Sequence, residues 1–92
     1  MTCEVHVDEA AAPDLEHLSR GIQARIVSRL EALSADPRPP DSQTLAGPLR
    51  GLRRIRVGSY RICYHVDDEA RLETVVEVGH RRDVYRRATR RS

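Results

Sequence analysis

The stretch Leu52–Tyr64 reads Leu-Arg-Arg-Ile-Arg-Val-Gly-Ser-Tyr-Arg-Ile-Cys-Tyr, and the rest of the chain is interpreted around it. Residues that favour strands run up to Gly58-Ser59 and resume at Tyr60, which predicts two strands joined by a two-residue turn. Glycine in the first central position favours a type II′ turn or a close relative, because the twist of such a turn matches that of paired strands. The stretch therefore predicts a β-hairpin at the centre of the fold.

Side chains alternate between the two faces along each strand of this hairpin. On the first strand Ile55 and Val57 share one face, and Arg54 and Arg56 share the other. The return strand has two sets, an apolar one of Tyr60, Ile62, Tyr64 and Val66 and a polar one of Arg61, Cys63 and His65. If the apolar sets cover one core, the three arginines cluster on the opposite face without an acid among them. An exposed sheet face is normally mixed in polarity, so this pattern predicts an anion-binding site.

A second interpretation of the same arginines stays open. Glu73 and Glu77 belong to the next predicted strand, and they could pair with Arg54, Arg56 and Arg61 on an ordinary solvated face. Side-chain patterning alone does not choose between an anion site and such a face.

The chain as a whole predicts one small α+β domain over residues 1–92. The predicted order is β-α-α-β-β-β-α, a helical hairpin laid on one face of an antiparallel meander that has an N-terminal edge strand. The predicted elements are, in order, a strand at Cys3–Val7, a helix starting near Ala11–Pro13, a break at Ser19–Gly21, a second helix, an irregular connection at Ser34–Gly47, the hairpin, a turn at Asp67–Ala70, a strand at Leu72–Val78 and a short helix at Arg81–Arg87.

The second helix and the last strand have distinct side-chain patterns. The second helix carries an apolar stripe formed by Ile22, Ile26, Val27, Leu30 and Leu33. The last strand alternates Leu72, Thr74, Val76 and Val78 against Glu73, Val75 and Glu77, and Gly79 is expected to end it, which leaves His80 in a turn.

Composition narrows the class of protein. No window is long and apolar enough to span a bilayer, and the first residues lack the pattern of a signal peptide, so we expect a cytoplasmic protein without membrane contact. Cys3 and Cys63 have no CxxC partner, and buried free thiols are expected in place of a disulfide. No cluster of metal-ligand residues is recognisable, and no cofactor is predicted.

The charges are distributed unevenly, although the net charge is only +2. Residues 1–49 hold four arginines against eight acids, and residues 50–92 hold twelve arginines against six acids. Concentrated positive charge steers a protein towards polyanions. The C-terminal half is therefore the expected surface for nucleic acid.

The second informative stretch is Val78–Arg87, which reads Val-Gly-His-Arg-Arg-Asp-Val-Tyr-Arg-Arg. If the last strand pairs beside Tyr60–Val66, its end brings Arg81 to the arginine face, and Tyr85 would overhang that face. Arginine binds phosphate oxygens through two parallel hydrogen bonds, and a tyrosine in such a groove stacks on a base or hydrogen-bonds a phosphate. Together these residues indicate RNA handling.

These two stretches, with Leu49–Leu52 before them, resemble the RelE toxins of the RelE/ParE superfamily from bacterial toxin–antitoxin pairs. The resemblance covers nearly the whole chain. It implies a RelE-like fold and a ribosome-dependent endonuclease that cuts mRNA in the ribosomal A site without a metal. It also implies a hetero-oligomer with a cognate, RelB-like antitoxin that keeps the toxin inactive.

The resemblance also implies roles for particular residues. In such toxins the 2′-hydroxyl attacks the adjacent phosphate and gives a 2′,3′-cyclic phosphate and a 5′-hydroxyl end. The catalytic positions fall on Arg61, Arg81 and Tyr85. The positions that bind RNA phosphates fall on Arg54 and Arg56, and Arg82 and Arg86 are expected to add general phosphate contacts.

One departure from the family concerns the proton acceptor. Some members have lysines where this chain has Arg54 and Arg56, and a guanidinium stays protonated in proteins. The base is then Tyr85, His80, or a group of the substrate or ribosome. His80 is a possible acid or base because an ordinary imidazole titrates near pH 6.5, although a plain turn residue is the alternative.

Two rival functions remain open at this stage. One is a ParE-like toxin that inhibits gyrase without RNA chemistry, and the other is an inactive relative that only binds its antitoxin and represses their operon. Arg61, Arg81 and Tyr85 occur together, which favours the RNase.

Overall fold

One five-stranded sheet and two helices make up the part of the chain that the structure, a computed structural model, describes, which is residues 3–80. The strands are β1 (Glu4–Val7), β2 (Gln43–Thr44), β3 (Arg53–Val57), β4 (Tyr60–Asp67) and β5 (Leu72–His80). The helices are α1 (Ala12–Glu16) and α2 (Arg20–Ala35), and a short 3₁₀ turn covers Gly47–Leu49. The helix predicted at 81–87 lies outside the described residues.

The sheet order is β1-β5-β4-β3-β2. Strand β1 lies at one edge and runs parallel to β5, and the β3–β4 and β4–β5 pairs are antiparallel. The α+β class, the N-terminal edge strand and the meander are therefore confirmed. The sequence analysis missed strand β2, because it is only two polar residues long and no alternation of apolar and polar residues predicts it. It forms by pairing with Arg53 and Arg54.

The core lies between the helices and one face of the sheet. Helix α2 buries Ile26, Leu30 and Leu33, and the sheet contributes Ile55, Val57, Ile62, Tyr64, Val75 and Val78. The prediction that Val27 belongs to the stripe is wrong, since its side chain is 44% exposed. One residue beyond Ile26 turns the side chain by about 100° around the helix and away from the sheet.

The hairpin turn and the start of α1 agree with the sequence analysis, whereas the break predicted at Ser19–Gly21 falls earlier, at residues 17–19, and α2 already begins at Arg20. Gly58 has a φ of +60°, as the first central residue of a type II′ turn requires. Pro13 lies in the first turn of α1, where a missing N–H costs nothing. Ser19 occupies the N-cap position of α2, although its side chain makes no capping hydrogen bond.

Strand β5 differs from its predicted alternation. A bulge between Cys63 and Tyr64 in the β4–β5 register pairs Cys63 with Glu77 and Tyr64 with Val75, so that Val76 is the extra residue. Because one added residue reverses the alternation, Val75 and Val78 both face the core. The strand also continues through Gly79 to His80, which pairs with Tyr60 and is not in a turn.

The chain after α2 is anchored to the core side of the sheet. The Tyr64 hydroxyl donates to the carbonyl of Pro37 at 2.7 Å. Arg53 donates to the Ser42 hydroxyl at 2.8 Å, and this hydroxyl donates to the carbonyl of Pro39 at 2.7 Å. This connection therefore closes one end of the core and leaves the other face of the sheet to the arginines.

Candidate functional site

The arginines of the hairpin lie on the sheet face opposite the helices. Residues directly opposite each other in an antiparallel pair share a face, with their Cα atoms roughly 4.5–5.5 Å apart. One row across the sheet is Arg54, Cys63 and Glu77, and the next row is Arg56, Arg61 and Gly79. The structure therefore brings Arg54, Arg56 and Arg61 together as the alternation predicts.

The hairpin itself contributes no acid to the arginine face, but the neighbouring strand β5 does. Glu77 pairs with Cys63 and lies in the row of Arg54, on the face opposite Val78, as the alternation of β5 predicts. Glu73 lies on the core side with Val75, so only one of the two glutamates proposed as partners reaches the arginine face. Glu77 itself is fully buried, which places its carboxylate in the floor of the face.

Positive charge on the arginine face is only partly compensated. Arg54 hydrogen-bonds the side-chain oxygen of Gln43 on β2. Within residues 3–80 neither Arg56 nor Arg61 has a carboxylate in ion-pair contact. The Nε of Arg61 is buried and has no hydrogen-bond partner among the described residues. Two neighbouring guanidinium groups without a carboxylate in contact favour a bound anion, so the row of Arg56 and Arg61 is where an anion is best placed.

Cys63 forms part of the floor but supplies no chemistry. Its thiol is fully buried and forms no disulfide. Cys3 is half-buried and is also a free thiol. Burial raises the pKa of Cys63 to about 12, the carboxylate of Glu77 adds to this, and Arg54 and Arg61 oppose it. A thiol is nucleophilic only as the thiolate. Cys63 is therefore inert at neutral pH.

His80 is not brought to the arginine face. It follows Gly79, which stands beside Arg61, so the alternation of β5 turns the His80 side chain to the opposite face. Its ring makes an edge-to-face contact with Tyr60, with centroids 6.0 Å apart and an interplanar angle of 82°. The remaining predicted site residues, Arg81, Arg82, Tyr85 and Arg86, lie outside the described residues.

A second basic feature was not recognised as functional from the sequence. A cleft of about 450 Å³ lies between α2 and the start of the hairpin turn, and its lining includes Arg25, Arg29 and Arg56. Arg25 and Arg29 are four residues apart on α2, which puts them on one side of the helix. That spacing, off the apolar stripe, is the signal that could have identified them.

Two further observations concern the described part of the chain. Residues 3–80 hold no group of three histidine, cysteine, aspartate or glutamate side chains arranged for a metal ion. No helix within the same residues has the length and apolar character needed to cross a membrane.

The sequence of this chain matches a known protein family. The family model described as ParE toxin of type II toxin–antitoxin system, parDE, matches residues 5–85. This range includes β3, β4 and β5, and with them the three arginines of the arginine face. The chain belongs to this toxin family. It is a RelE/ParE superfamily toxin, as the two sequence stretches indicated.

Individual relatives support the same assignment for this toxin. It is 34% identical to Toxin RelG of Mycobacterium tuberculosis over 88 residues, covering 95% of this chain and 100% of the relative. The toxin–antitoxin complex RelBE2 of M. tuberculosis contains a chain that matches with a TM-score of 0.79 and 30% identity over 87% of this toxin and 99% of that chain. A mutant of the E. coli toxin RelE in the free state matches with a TM-score of 0.81 and 26% identity, over 99% and 98% of the two chains.

Proposed function

We propose that this toxin is a ribosome-dependent endoribonuclease that cuts mRNA in the ribosomal A site and so stops translation. The observation that carries the proposal is the row of Arg56 and Arg61, two guanidinium groups on adjacent strands without a carboxylate partner in the described chain. Two like charges held side by side are stabilised by an anion between them. A phosphate of the RNA backbone is such an anion.

The reaction we propose is an internal phosphoryl transfer. The 2′-hydroxyl of one nucleotide attacks the adjacent phosphorus and loses its proton, and the bond to the 5′-oxygen of the next nucleotide breaks as that oxygen takes up a proton. The products are a 2′,3′-cyclic phosphate and a 5′-hydroxyl end. Arg61, with Arg81 beyond the described residues, would hold the phosphate oxygens and stabilise the charge that grows on them in the transition state. Arg54 and Arg56 would bind the RNA backbone.

The proton acceptor must come from elsewhere than the arginine face. Guanidinium groups stay protonated, the Cys63 thiol is buried, and His80 contacts Tyr60 on the other face. We therefore favour Tyr85 or a group of the substrate or ribosome over His80 as the acid or base. This choice makes His80 a useful control position.

The partner we propose is a cognate RelB-like antitoxin in the cytoplasm. One structural relative was solved as the toxin–antitoxin complex RelBE2. This toxin has twelve of its sixteen arginines in residues 50–92, so an acidic antitoxin segment would neutralise the surface that RNA uses. Binding of antitoxin and of RNA would then exclude each other.

Single-turnover cleavage of mRNA on purified ribosomes tests the RNase. Arg61→Ala and Arg81→Ala are each expected to slow cleavage by about 10²–10³-fold, the usual effect of removing a donor to a transition-state charge, while ribosome binding changes far less. Tyr85→Phe separates two roles of the tyrosine. A large loss of cleavage rate indicates that the hydroxyl acts, and a nearly unchanged rate indicates that only the ring contributes, by stacking. Arg20→Ala, an exposed arginine at the start of α2, and His80→Ala are the controls.

Inhibition of gyrase is a second candidate function, because of the family that the chain matches. The matching family is described by its ParE toxins, and a gyrase inhibitor with this fold would cause DNA breaks while ribosomes stay active. Breaks without mRNA cleavage would replace our proposal by that function. A chain that affects neither DNA nor mRNA would be an inactive relative that only binds its antitoxin.

A further inference from the structure

The cleft between α2 and the hairpin is the strongest feature that the proposed reaction does not use. Its walls are one side of α2, with Arg25, Ser28 and Arg29, and the end of β3, with Arg56 and Gly58. Strand β2 covers β3 only at Arg53 and Arg54. The cleft therefore opens at the edge of the sheet, next to the arginine face.

The cleft holds more positive charge than its surroundings neutralise. Within residues 3–80, Arg25 and Arg56 have no carboxylate in ion-pair contact. Arg29 contacts Asp41 through one terminal nitrogen at 2.8 Å, and its Nε is buried without a hydrogen-bond partner there. Three guanidinium groups thus face one cleft with a single carboxylate beside it. Such a cluster favours a bound anion.

Arg25 connects the helix to the turn of the hairpin. A Cβ placed on Gly58 would lie 3.5 Å from one terminal nitrogen of Arg25 and 3.7 Å from the other, so the guanidinium lies across the turn. Arg25 is otherwise exposed to solvent. Its charge therefore lies on the wall of the cleft and remains accessible to a ligand.

We propose that this cleft is a second phosphate-binding subsite, in which Arg25 and Arg29 hold an RNA phosphodiester that lies beyond the reacting phosphate. The inference rests on the proposed RNase function and deepens it. Arg56 carries the argument, because it lines the cleft and is also the register partner of Arg61 on the arginine face. An RNA chain bound at Arg61 can therefore pass Arg56 and continue around the sheet edge into the cleft.

Continuity of the cleft with the arginine face through Arg56 favours RNA over a separate protein partner. The donors of the cleft are guanidinium groups and the Ser28 hydroxyl, all of which suit phosphate oxygens. A phosphodiester could belong to mRNA or to ribosomal RNA, and both present the same group. Comparing programmed ribosomes with vacant ones separates these two sources.

The test measures binding without cleavage. Ribosomes are programmed with mRNA whose 2′-hydroxyls are methylated, and the affinity of each toxin variant is followed as salt increases. For the double variant Arg25→Ala with Arg29→Ala we expect binding at least about tenfold weaker and a slope of log affinity against log salt that is smaller by about one. Arginine-to-lysine changes at both positions should restore much of the slope, because the charge is kept. Arg20→Ala is the matched control on the same helix and should change neither quantity.

The outcomes distinguish the subsite from the reaction itself. If the double variant binds more weakly to programmed ribosomes only, the subsite holds an mRNA phosphate. If its binding to vacant ribosomes is weakened equally, the subsite holds a ribosomal phosphate. Unchanged affinity and slope in the double variant overturn the subsite, even if the unaltered toxin cleaves mRNA. Weaker binding of antitoxin with unchanged ribosome binding overturns it in favour of a protein interface. Cleavage that is absent from the unaltered toxin refutes the proposed function, and a toxin that also fails to bind ribosomes refutes the subsite too.

Discussion

Glu73 is a carboxyl group placed where a charge is costly. It is fully buried on the core side of β5, and neither of its oxygens has a hydrogen-bond partner in the described chain. Burial raises its pKa to about 7, a nearby Arg38 opposes the rise, and Asp36 adds to it. Arg38 is engaged elsewhere, since both of its terminal nitrogens donate to Asp68 at 2.8 and 2.9 Å. At neutral pH Glu73 is thus poised between its two forms.

The toxin should lose stability as the pH rises through this range. The folded-state pKa of Glu73 lies above the ordinary value of 4.5, so the folded protein holds the proton more tightly than the unfolded chain. The stabilisation by the protonated Glu73 is fully present below about pH 4.5, declines up to about pH 7 and levels off above it, for a total of roughly 3 kcal/mol. Urea unfolding at several pH values measures it.

Glu73→Gln removes the titrating group and keeps the shape, so its unfolding free energy should be less dependent on pH between 4.5 and 7. Glu69→Gln, in the exposed turn before β5, is the matched control and should keep the dependence of the unaltered protein. If Glu73→Gln and the unaltered toxin have the same pH profile, Glu73 is not the buried titrating group.

At the scale of elements, the hairpin turn positions both the arginine face and the cleft. Gly58 has a φ of +60°, a conformation that costs a residue with a side chain about 1–2 kcal/mol. Gly58→Ala should therefore destabilise the fold by about that amount, measured as a lower midpoint of urea unfolding. Gly58→Asn should cost less, because asparagine tolerates this conformation better.

Gly21 offers a control for this change. It lies in the first turn of α2 with nothing within 4 Å of the position of an added Cβ, and its φ is not positive. Gly21→Ala should therefore leave stability unchanged or raise it by up to about 1 kcal/mol. If Gly58→Ala and Gly21→Ala behave alike, the turn is not conformationally constrained as we describe.

The molecule as a whole is electrically divided. Residues 1–49 carry a net charge of −4 and residues 50–92 a net charge of +6. An acidic antitoxin should therefore bind the arginine-rich half. Co-expression with the neighbouring gene is expected to yield a complex that survives gel filtration and restores growth, and its dissociation should increase with salt because surface charge pairs are screened. Elution of free toxin at equal stoichiometry would contradict this arrangement.

Local patterns were sufficient for much of this fold. The β-hairpin, Gly58 in its turn, Pro13 in the first turn of α1 and the buried Ile26, Leu30 and Leu33 all follow from periodicity and from the conformational limits of single residues. These properties depend on neighbours in the chain. The grouping of Arg54, Arg56 and Arg61 belongs here as well, because alternation and a two-residue turn fix which side chains of a hairpin share a face.

Pairings between distant segments could not be predicted from local patterns, because they depend on contacts across the fold. The bulge that buries Val75 and sends Glu73 to the core depends on how β5 registers with β4, and the side-chain pattern of the strand does not show where the extra residue falls. The strand β2 and the cleft that joins Arg25 and Arg29 to Arg56 likewise arise from contacts across the fold. Alternation along the hairpin was enough to predict the arginine face. Arg25 and Arg29 come to lie beside Arg56 through the packing of α2 against the open edge of β3, because such contacts join residues that are far apart in the chain.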